Sequence, residues 1–570
     1  MTSVLTAVDE LFAARFEEGF APGLVYGVVR HGELVHARGL GTVSPATPSA
    51  VPDEHTVMRI ASMTKSFTAA ALLLLRDRGL VDLDEAVAQY VPELVDQAPY
   101  SASSPAVTLR HLLTMAAGLP SDNPWGDRQE SLTYEEFGTF LDGGFTPVGE
   151  VGVRFEYANL GYALLGRVID NVVGQGSSGV PEGAGRDFVE HELLAPLGLV
   201  STRYDVTLCG PRLAPGHHRR GGDWVEAAPM SPGAFSPMGG LHSTITDLAG
   251  WVAGLAAAYD ERPDGHPLSK ATRRELQQMH RFERVSATLS TDGPGAVASG
   301  YGYGLMVDHD DRLGQIVHHS GGYPGYGSRM LWHPETGLGV VTMSNGSYGG
   351  AYPTSMAALK RLVRAEARRP SAPAIVMPEV GRVTDHVRGF DPAGQRTFAD
   401  PGLFADNVEL DVPDAERRRE LAQARERVGA PTGAPGVPRS ETLAHAAWMV
   451  PAERGRYELA VLLSPEAMPR WQYVGVTAVP AAAPGVLERA RAALAAPTAE
   501  TRLMRAFGEP VLLEAPVSAG ERSVELLAGA GVTWWKVTVP LPDGEVALVP
   551  HETASYPRLA WFAEQGVTSS

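Results

Sequence analysis

The sequence predicts an α+β chain: an antiparallel sheet flanked by helices, with a helical subdomain set into it, followed by an α+β or barrel-like accessory domain. Three observations predict it. Helical patterns stand at both ends of residues 1–368, and strand patterns stand just inside both ends, so one sheet must gather chain-distant pieces. The third is length, since 570 residues exceed one ordinary core.

In chain order, residues 4–18 carry a helical apolar pattern, and Leu24–Arg30 and Glu33–Leu40 read as strands around a His31-Gly32 turn. Phe67–Leu75 is apolar except for Thr68, the pattern of a helix buried all round. Gly174–Gly185, rich in Gly and Ser, reads as a solvent-facing insertion. Strand patterns return near residue 301: Gln315–His319 leads toward Gly327–His333 and Gly339–Ser344, which are joined by Pro334-Glu335-Thr336-Gly337. Ala351–Ala367 then reads as a closing helix. Arg369–Pro373 is the expected linker and 374–570 the expected accessory domain. There Pro413–Val428 reads as a charged helix with Gly429 after its end, and Arg456–Leu463, Trp471–Val479, Thr533–Val539 and Val546–Val549 as strands.

Composition narrows the function. Hydrophobic residues make up 44% and charged residues 20%, a globular balance. The 48 basic and 66 acidic residues leave a net charge of -18, which repels phosphate backbones and argues against nucleic acid. No run approaches the ~18 apolar residues of a membrane span. The first ten residues lack a basic n-region, and the expectation is a cytoplasmic protein. Cys209 is the only cysteine, so an internal disulfide and a cysteine metal cluster are excluded.

Chemistry concentrates in three segments. In Arg59-Ile60-Ala61-Ser62-Met63-Thr64-Lys65-Ser66-Phe67, a helix opening at Ser62 places Lys65 one turn on, on the same face. A serine hydroxyl needs a base at neutral pH. A lysine in an apolar helix can supply one, because burial lowers its pKa, and the helix N-terminus favours negative charge near Ser62. By itself Ser-x-x-Lys is equally a helix cap before a surface lysine. Phe155-Glu156-Tyr157-Ala158-Asn159-Leu160 supplies Tyr-x-Asn, alone no more than a buried tyrosine and a turn asparagine. His318-His319-Ser320-Gly321-Gly322, alone, is a strand end entering a glycine turn.

Together, in this order and at these separations, they resemble the three motifs of the serine beta-lactamase and penicillin-binding-protein superfamily: Ser-x-x-Lys, Tyr-x-Asn and Lys/His-x-Gly. Here these are Ser62–Lys65, Tyr157–Asn159 and His319–Gly321. Val107–Pro120, Met238–Thr244 and Ser320–Tyr326 are similar to further segments of that family, so the resemblance covers roughly 4–368. Tyr-x-Asn points to the class C branch, with its D-aminopeptidases, family VIII esterases and penicillin-binding-protein-type thioesterases. His319 stands where class C lactamases carry lysine, a departure that weakens a beta-lactamase assignment.

The resemblance implies a beta-lactamase/transpeptidase-like fold and a set of roles. Ser62 attacks a carbonyl and becomes an ester. Lys65 and Tyr157 share its proton. Backbone N–H groups of Ser62 and Gly322 form the oxyanion hole, and Asn159 orients Lys65 and the acyl amide. Ser320 and Gly321 bind substrate, while His319 either completes the hydrogen-bond network or helps bind a carboxylate. No cofactor and no metal are expected.

Other chemistries lack their signatures. No Gly-x-Ser-x-Gly elbow is present. The pairs His217-His218 and His318-His319 are adjacent rather than spaced for zinc, Cys209 reads as a small packing residue, and Trp534 and Trp535 read as packing for the accessory domain. Three enzymatic readings stay open. They are a hydrolase of small amides or peptides containing D-residues, an esterase, and an acyltransferase or peptide cyclase taking a carrier-protein-bound acyl chain. A non-catalytic binding module is the fourth, and intact Ser62, Lys65, Tyr157 and Asn159 argue against it. The expected partner is a small-molecule or peptide substrate; the sequence sets no oligomeric state.

Overall fold

A computed structural model describes residues 2–174, 182–260, 262–290, 293–367, 377, 401–436, 438 and 442–481, and beyond these the backbone of short strands between 502 and 561. The chain forms two compact units, one running to Arg369 and the other from Pro370.

The first unit opens with α1 (Thr2–Glu17), β1 (Gly23–Arg30) and β2 (Glu33–Gly41). His31 and Gly32 both have positive φ, +51° and +91°, the twist a two-residue hairpin turn requires. The Ala61–Met63 turn leads into α2 (Thr64–Asp77), and α3 (Asn159–Val173) and α4 (Ile245–Ala256) follow. Six consecutive strands come next: β3 (Arg281–Ser290), β4 (Gly293–Tyr301), β5 (Met306–Asp310), β6 (Gly314–Tyr323), β7 (Tyr326–His333) and β8 (Leu338–Ser344). The helix α5 (Tyr352–Ala367) ends the unit.

These strands make one eight-stranded sheet, β2-β1-β8-β7-β6-β5-β4-β3. The join between chain-distant pieces is β1 on β8, antiparallel, with Leu24 opposite Ser344 and Arg30 opposite Leu338. Side chains alternate across β1. Leu24, Tyr26 and Val28 pack with Val8 and Phe12 of α1 and Leu359 of α5. Val25 and Val29 pack on the other face with Leu248 and Val252 of α4 and the apolar run of α2. A sheet covered on both faces has no polar side, which is why β1 reads as a continuous apolar run.

Three features differ from the sequence expectation. Strands begin at Arg281 rather than near 301. β3 carries Phe282 and Val285 at 56% and 64% exposure on the sheet's edge, so the half-buried alternation that marks a strand is missing. A small hairpin, His217–Arg220 with Asp223–Glu226, also escapes the pattern. Of the Gly174–Gly185 stretch, 175–181 lie outside the described residues, and its end is not solvent-facing. Ala184–Val189 is a short helix in which buried Gly185 donates its N–H to Asp170 Oδ1 at 2.6 Å.

In the second unit α6 (Asp414–Val428) ends at Gly429, whose φ is +83°. It buries Leu421, Ala424 and Val428 with Trp448, Tyr457 and Leu459 of an antiparallel sheet, β9 (His445–Ala452), β10 (Gly455–Leu463) and β11 (Trp471–Pro480). A second sheet orders its strands Val511–Leu512, Arg502–Arg505, Pro557–Trp561, Gly544–Pro550, Val532–Leu541, Val524–Gly529, with Arg502–Arg505 parallel to Pro557–Trp561. Trp534 and Trp535 fall on the Val532–Leu541 strand, their side chains outside the description. The expected linker 369–373 lies outside the described residues as well.

Candidate active site

Ser62 sits in a 3-10 turn, Ala61–Met63, that runs into α2 at Thr64, rather than at the opening of the α-helix itself. Ala61 is held at φ +48°, an unfavourable conformation for a residue with a Cβ. Its surroundings impose it. Ile60 N donates to Leu241 O at 2.9 Å, and Ser328 Oγ of β7 donates to Ile60 O at 2.7 Å. Gly321 of β6 lies so close that a Cβ there would stand 2.1 Å from Ile60 O, which is why a glycine is needed. Ala61 and Met63 are buried and Ser62 is half-buried, so the turn presents its serine outward.

Lys65 is fully buried, and its Nζ has three neighbours: Ser62 Oγ at 3.1 Å, Asn159 Oδ1 at 2.7 Å and Met238 O at 2.7 Å. The two carbonyl oxygens can only accept, so each fixes one N–H. The third tetrahedral position points at Ser62, filled by a proton in the ammonium and by the lone pair in the amine. Burial pushes the Lys65 pKa down to about 7 against the opposing pull of Asp122, Asp127 and Glu130. Near neutrality both forms are therefore present.

Tyr157 brings its phenol within hydrogen-bonding reach of the same serine oxygen, and Lys65 Nζ lies 5.0 Å from its ring centroid. Burial raises the phenol pKa well above its ordinary value, and the Ser62 hydroxyl opposes that rise. Asn159 begins α3 and is buried. Its Nδ2 donates to Asn123 Oδ1 at 2.9 Å, which leaves Oδ1 for Lys65 and fixes the amide's orientation. Gly126 permits this packing, since a Cβ there would lie 3.0 Å from Asn159 Cβ.

On β6, His319 is buried with both ring nitrogens engaged. Nδ1 is 2.7 Å from Ser320 O, which only accepts, so Nδ1 carries the proton and Nε2 accepts from Tyr301 Oη at 3.1 Å. Burial first, and then the Lys65 charge, push its pKa down to about 3. A neutral ring with both nitrogens used offers a carboxylate no charge. Ser320 is half-buried, and its Oγ accepts from Arg329 Nη1, directly opposite on β7, at 3.3 Å. Gly322 faces two tyrosines: a Cβ there would meet Tyr348 Cδ1 at 2.9 Å and Tyr352 Oη at 3.5 Å.

The fold thus brings Ser62, Lys65 and Asn159 into one hydrogen-bonded cluster, with the Tyr157 ring beside Lys65 Nζ and His319 against Tyr157 at 6.2 Å between ring centroids. Sequence reasoning missed Met238 O, because a main-chain carbonyl leaves no signature in residue type. It also missed Asp122, Asn123, Tyr301 and Arg329, which carry ordinary residue types at ordinary spacings. Cys209 is buried, and burial pushes its thiol up to about 11, away from a nucleophile's range. Among the described residues no group of three or more His, Cys, Asp or Glu is placed to hold a metal ion. Nor, among them, is any helix long and apolar enough to cross a membrane.

Known proteins share this arrangement of chain. Protein flp of Staphylococcus aureus (strain NCTC 8325 / PS 47) is 25% identical over 346 residues, 59% of this chain, and the match spans 62% of flp's own length. The putative beta-lactamase-like 1 protein of Homo sapiens is 26% identical over 456 residues, 75% of this chain and 84% of its own. An octameric penicillin-binding protein homologue from Pyrococcus abyssi superposes with a TM-score of 0.52 at 19% identity, over 96% of this chain and 98% of its own. EstCE1, a hydrolase with promiscuous acyltransferase activity, gives 0.50 at 20% identity, over 64% of this chain and 99% of its own. At such identities the two structures speak for the fold. The family model described as Beta-lactamase matches residues 8–365, a span that takes in the whole eight-stranded sheet and the Ser62 cluster it supports; the chain belongs to that family.

Proposed function

We propose that this chain is a serine acyl-transfer hydrolase working through an ester on Ser62. One observation carries the reading: the Ser62 hydroxyl lies between a buried lysine whose pKa is pushed to about 7 and a half-buried, protonated tyrosine. With Asn159 Oδ1 and Met238 O each holding one proton of the neutral amine, the Lys65 lone pair is aimed at Ser62 and takes its proton as Oγ bonds to the substrate carbonyl carbon. Tyr157 is neutral at physiological pH, so it acts as relay: it gives its proton to the departing nitrogen or oxygen and is reprotonated from Lys65. Backbone N–H groups of Ser62 and Gly322 receive the oxyanion, a contribution of about 3 kcal/mol per donor. Asn159 positions Lys65, and His319 supports the network through Tyr301 while Ser320 and Gly321 border the acyl group. The substrate class is an amide, a peptide or an ester, and water or an amine resolves the acyl-enzyme. The chain carries its own acid–base groups for this and calls on no cofactor.

A fluorophosphonate probe followed by peptide mapping tests the reading. The expected adduct is on Ser62 alone. An adduct on another serine with Ser62 unmodified would overturn it. A matched panel of esters, D- and L-aminoacyl amides and peptidyl thioesters, with products identified by mass, then separates hydrolysis from aminolysis.

A further inference from the structure

We infer that the buried ion pair Arg59–Glu130 is a positioning device for Lys65, fixing the turn whose carbonyl holds the lysine and placing a charge beside it; the inference rests on the roles of Ser62 and Lys65 proposed above. Arg59 and Glu130 are 2% and 1% exposed. Arg59 Nη2 donates to Glu130 Oε2 at 2.5 Å, and its Nε donates to Gly239 O at 3.0 Å. The other carboxylate oxygen, Oε1, accepts from Ser236 Oγ at 2.7 Å. Both flanks of the Ser236–Met238 turn are thereby tied to one ion pair, and Met238, whose carbonyl accepts from Lys65 Nζ, lies between them. Fit on the carboxylate side is tight: a Cβ on Gly240 would stand 2.6 Å from Glu130 Oε1. The nucleophile helix grips the same turn from the other side, through Thr68 Oγ1 to Pro237 O at 2.7 Å and Leu241 N to Thr64 Oγ1 at 3.1 Å.

Taking two charges this far from water costs more than a surface pair returns, and apolar residues would hold a turn at least as well. What an ion pair supplies is direction and field. Directed bonds set the Met238 carbonyl, and a 1 Å misplacement of a reacting group costs up to about 100-fold in rate. The field acts on Lys65, which is faced by Asp122, Asp127 and Glu130, by the phenols of Tyr157 and Tyr162, and by His319. Glu130 is the member of this set whose charge is fixed in place by the same bonds that fix the turn.

The test uses the full-length chain, p-nitrophenyl acetate and pre-steady-state acylation from pH 5 to 9, with the wild-type ester located by intact mass and peptide mapping. Ser236→Ala breaks the tie to the turn without changing charge. Its limiting acylation rate should fall between about 10- and 100-fold, with the half-saturating concentration within about twofold and the acidic limb unmoved. Glu130→Gln keeps the shape and removes the charge. Its rate should fall too, and its acidic limb should move to lower pH, because loss of a nearby negative charge lowers the Lys65 pKa further. Circular dichroism excludes unfolding in each, and if one variant does not fold the other still decides. Wild-type rates in either folded variant, or an unmoved limb in Glu130→Gln, would overturn the inference alone. Absence of an ester on wild-type Ser62 would overturn the parent reading, and this one with it.

Discussion

At the scale of single residues, the site depends on a lysine that is costly to keep. Its ordinary pKa of 10.5 falls to about 7, so near neutral pH the folded chain holds fewer protons at this position than the unfolded chain would. The folded state carries the full penalty of that shift below about pH 7; the penalty shrinks as pH rises toward 10.5 and is absent above it. In the proposed mechanism the return is a base that is partly neutral at physiological pH. In the mechanism proposed above Tyr157 works with it on one proton, since both lie against Ser62. Lys65→Ala and Tyr157→Phe should each lower the acylation rate by about 10²-fold or more, and the double variant should lose little beyond the worse single. A double-variant loss equal to the product of the two singles would mean that they act independently.

At the scale of elements, the N-terminus of α3 decides where Asn159 stands. The helix has no side-chain cap from its own N-cap residue, Ala158. Instead Asp122, 37 residues earlier in the chain, accepts from Asn159 N at 2.7 Å with one carboxylate oxygen and from Leu160 N at 2.8 Å with the other. Those N–H groups would otherwise be unsatisfied, and the carboxylate also matches the positive end of the helix. Asp122→Ala should cost about 1–2 kcal/mol of stability, seen as a lower melting temperature. It should also slow acylation, because the first residue of α3 is the one that holds Lys65. Asp122→Asn retains one acceptor and should fall between. Unchanged stability in Asp122→Ala would show that the helix start is held by something else.

At the scale of the whole molecule, the first unit closes on itself. β1 pairs with β8, α1 and α5 cover one face of the sheet, and α2 and α4 cover the other. The residues proposed for catalysis, Ser62, Lys65, Tyr157, Asn159, His319 and Gly322, all precede Arg369, where this unit ends. A fragment of residues 1–369 should therefore stay soluble and acylate with a small activated ester. An insoluble fragment would mean that the first unit depends on the second for its core. Unchanged rate and selectivity on the natural substrate would remove the second unit from recognition.

The strongest signals in the sequence were local ones. The buried run of α2, the hairpin of β1 and β2, and the Ser-x-x-Lys pair each lie within a few residues, and their burial or turn chemistry shows directly in residue type. The three motifs added order and spacing, and with them the family. What residue type could not carry was decided by contacts between distant segments. Edge strand β3 was missed because exposure erases alternation. Met238 O was missed because every residue has a carbonyl, and only the fold aims this one at Lys65. His319 reads from the sequence equally well as a carboxylate ligand or as a network member, and only the fold shows that its two nitrogens face Ser320 O and Tyr301 Oη. By itself the sequence named the side chains proposed for catalysis, because their chemistry belongs to residue type; the tertiary structure decided their burial, partners and aim, because those depend on segments far along the chain.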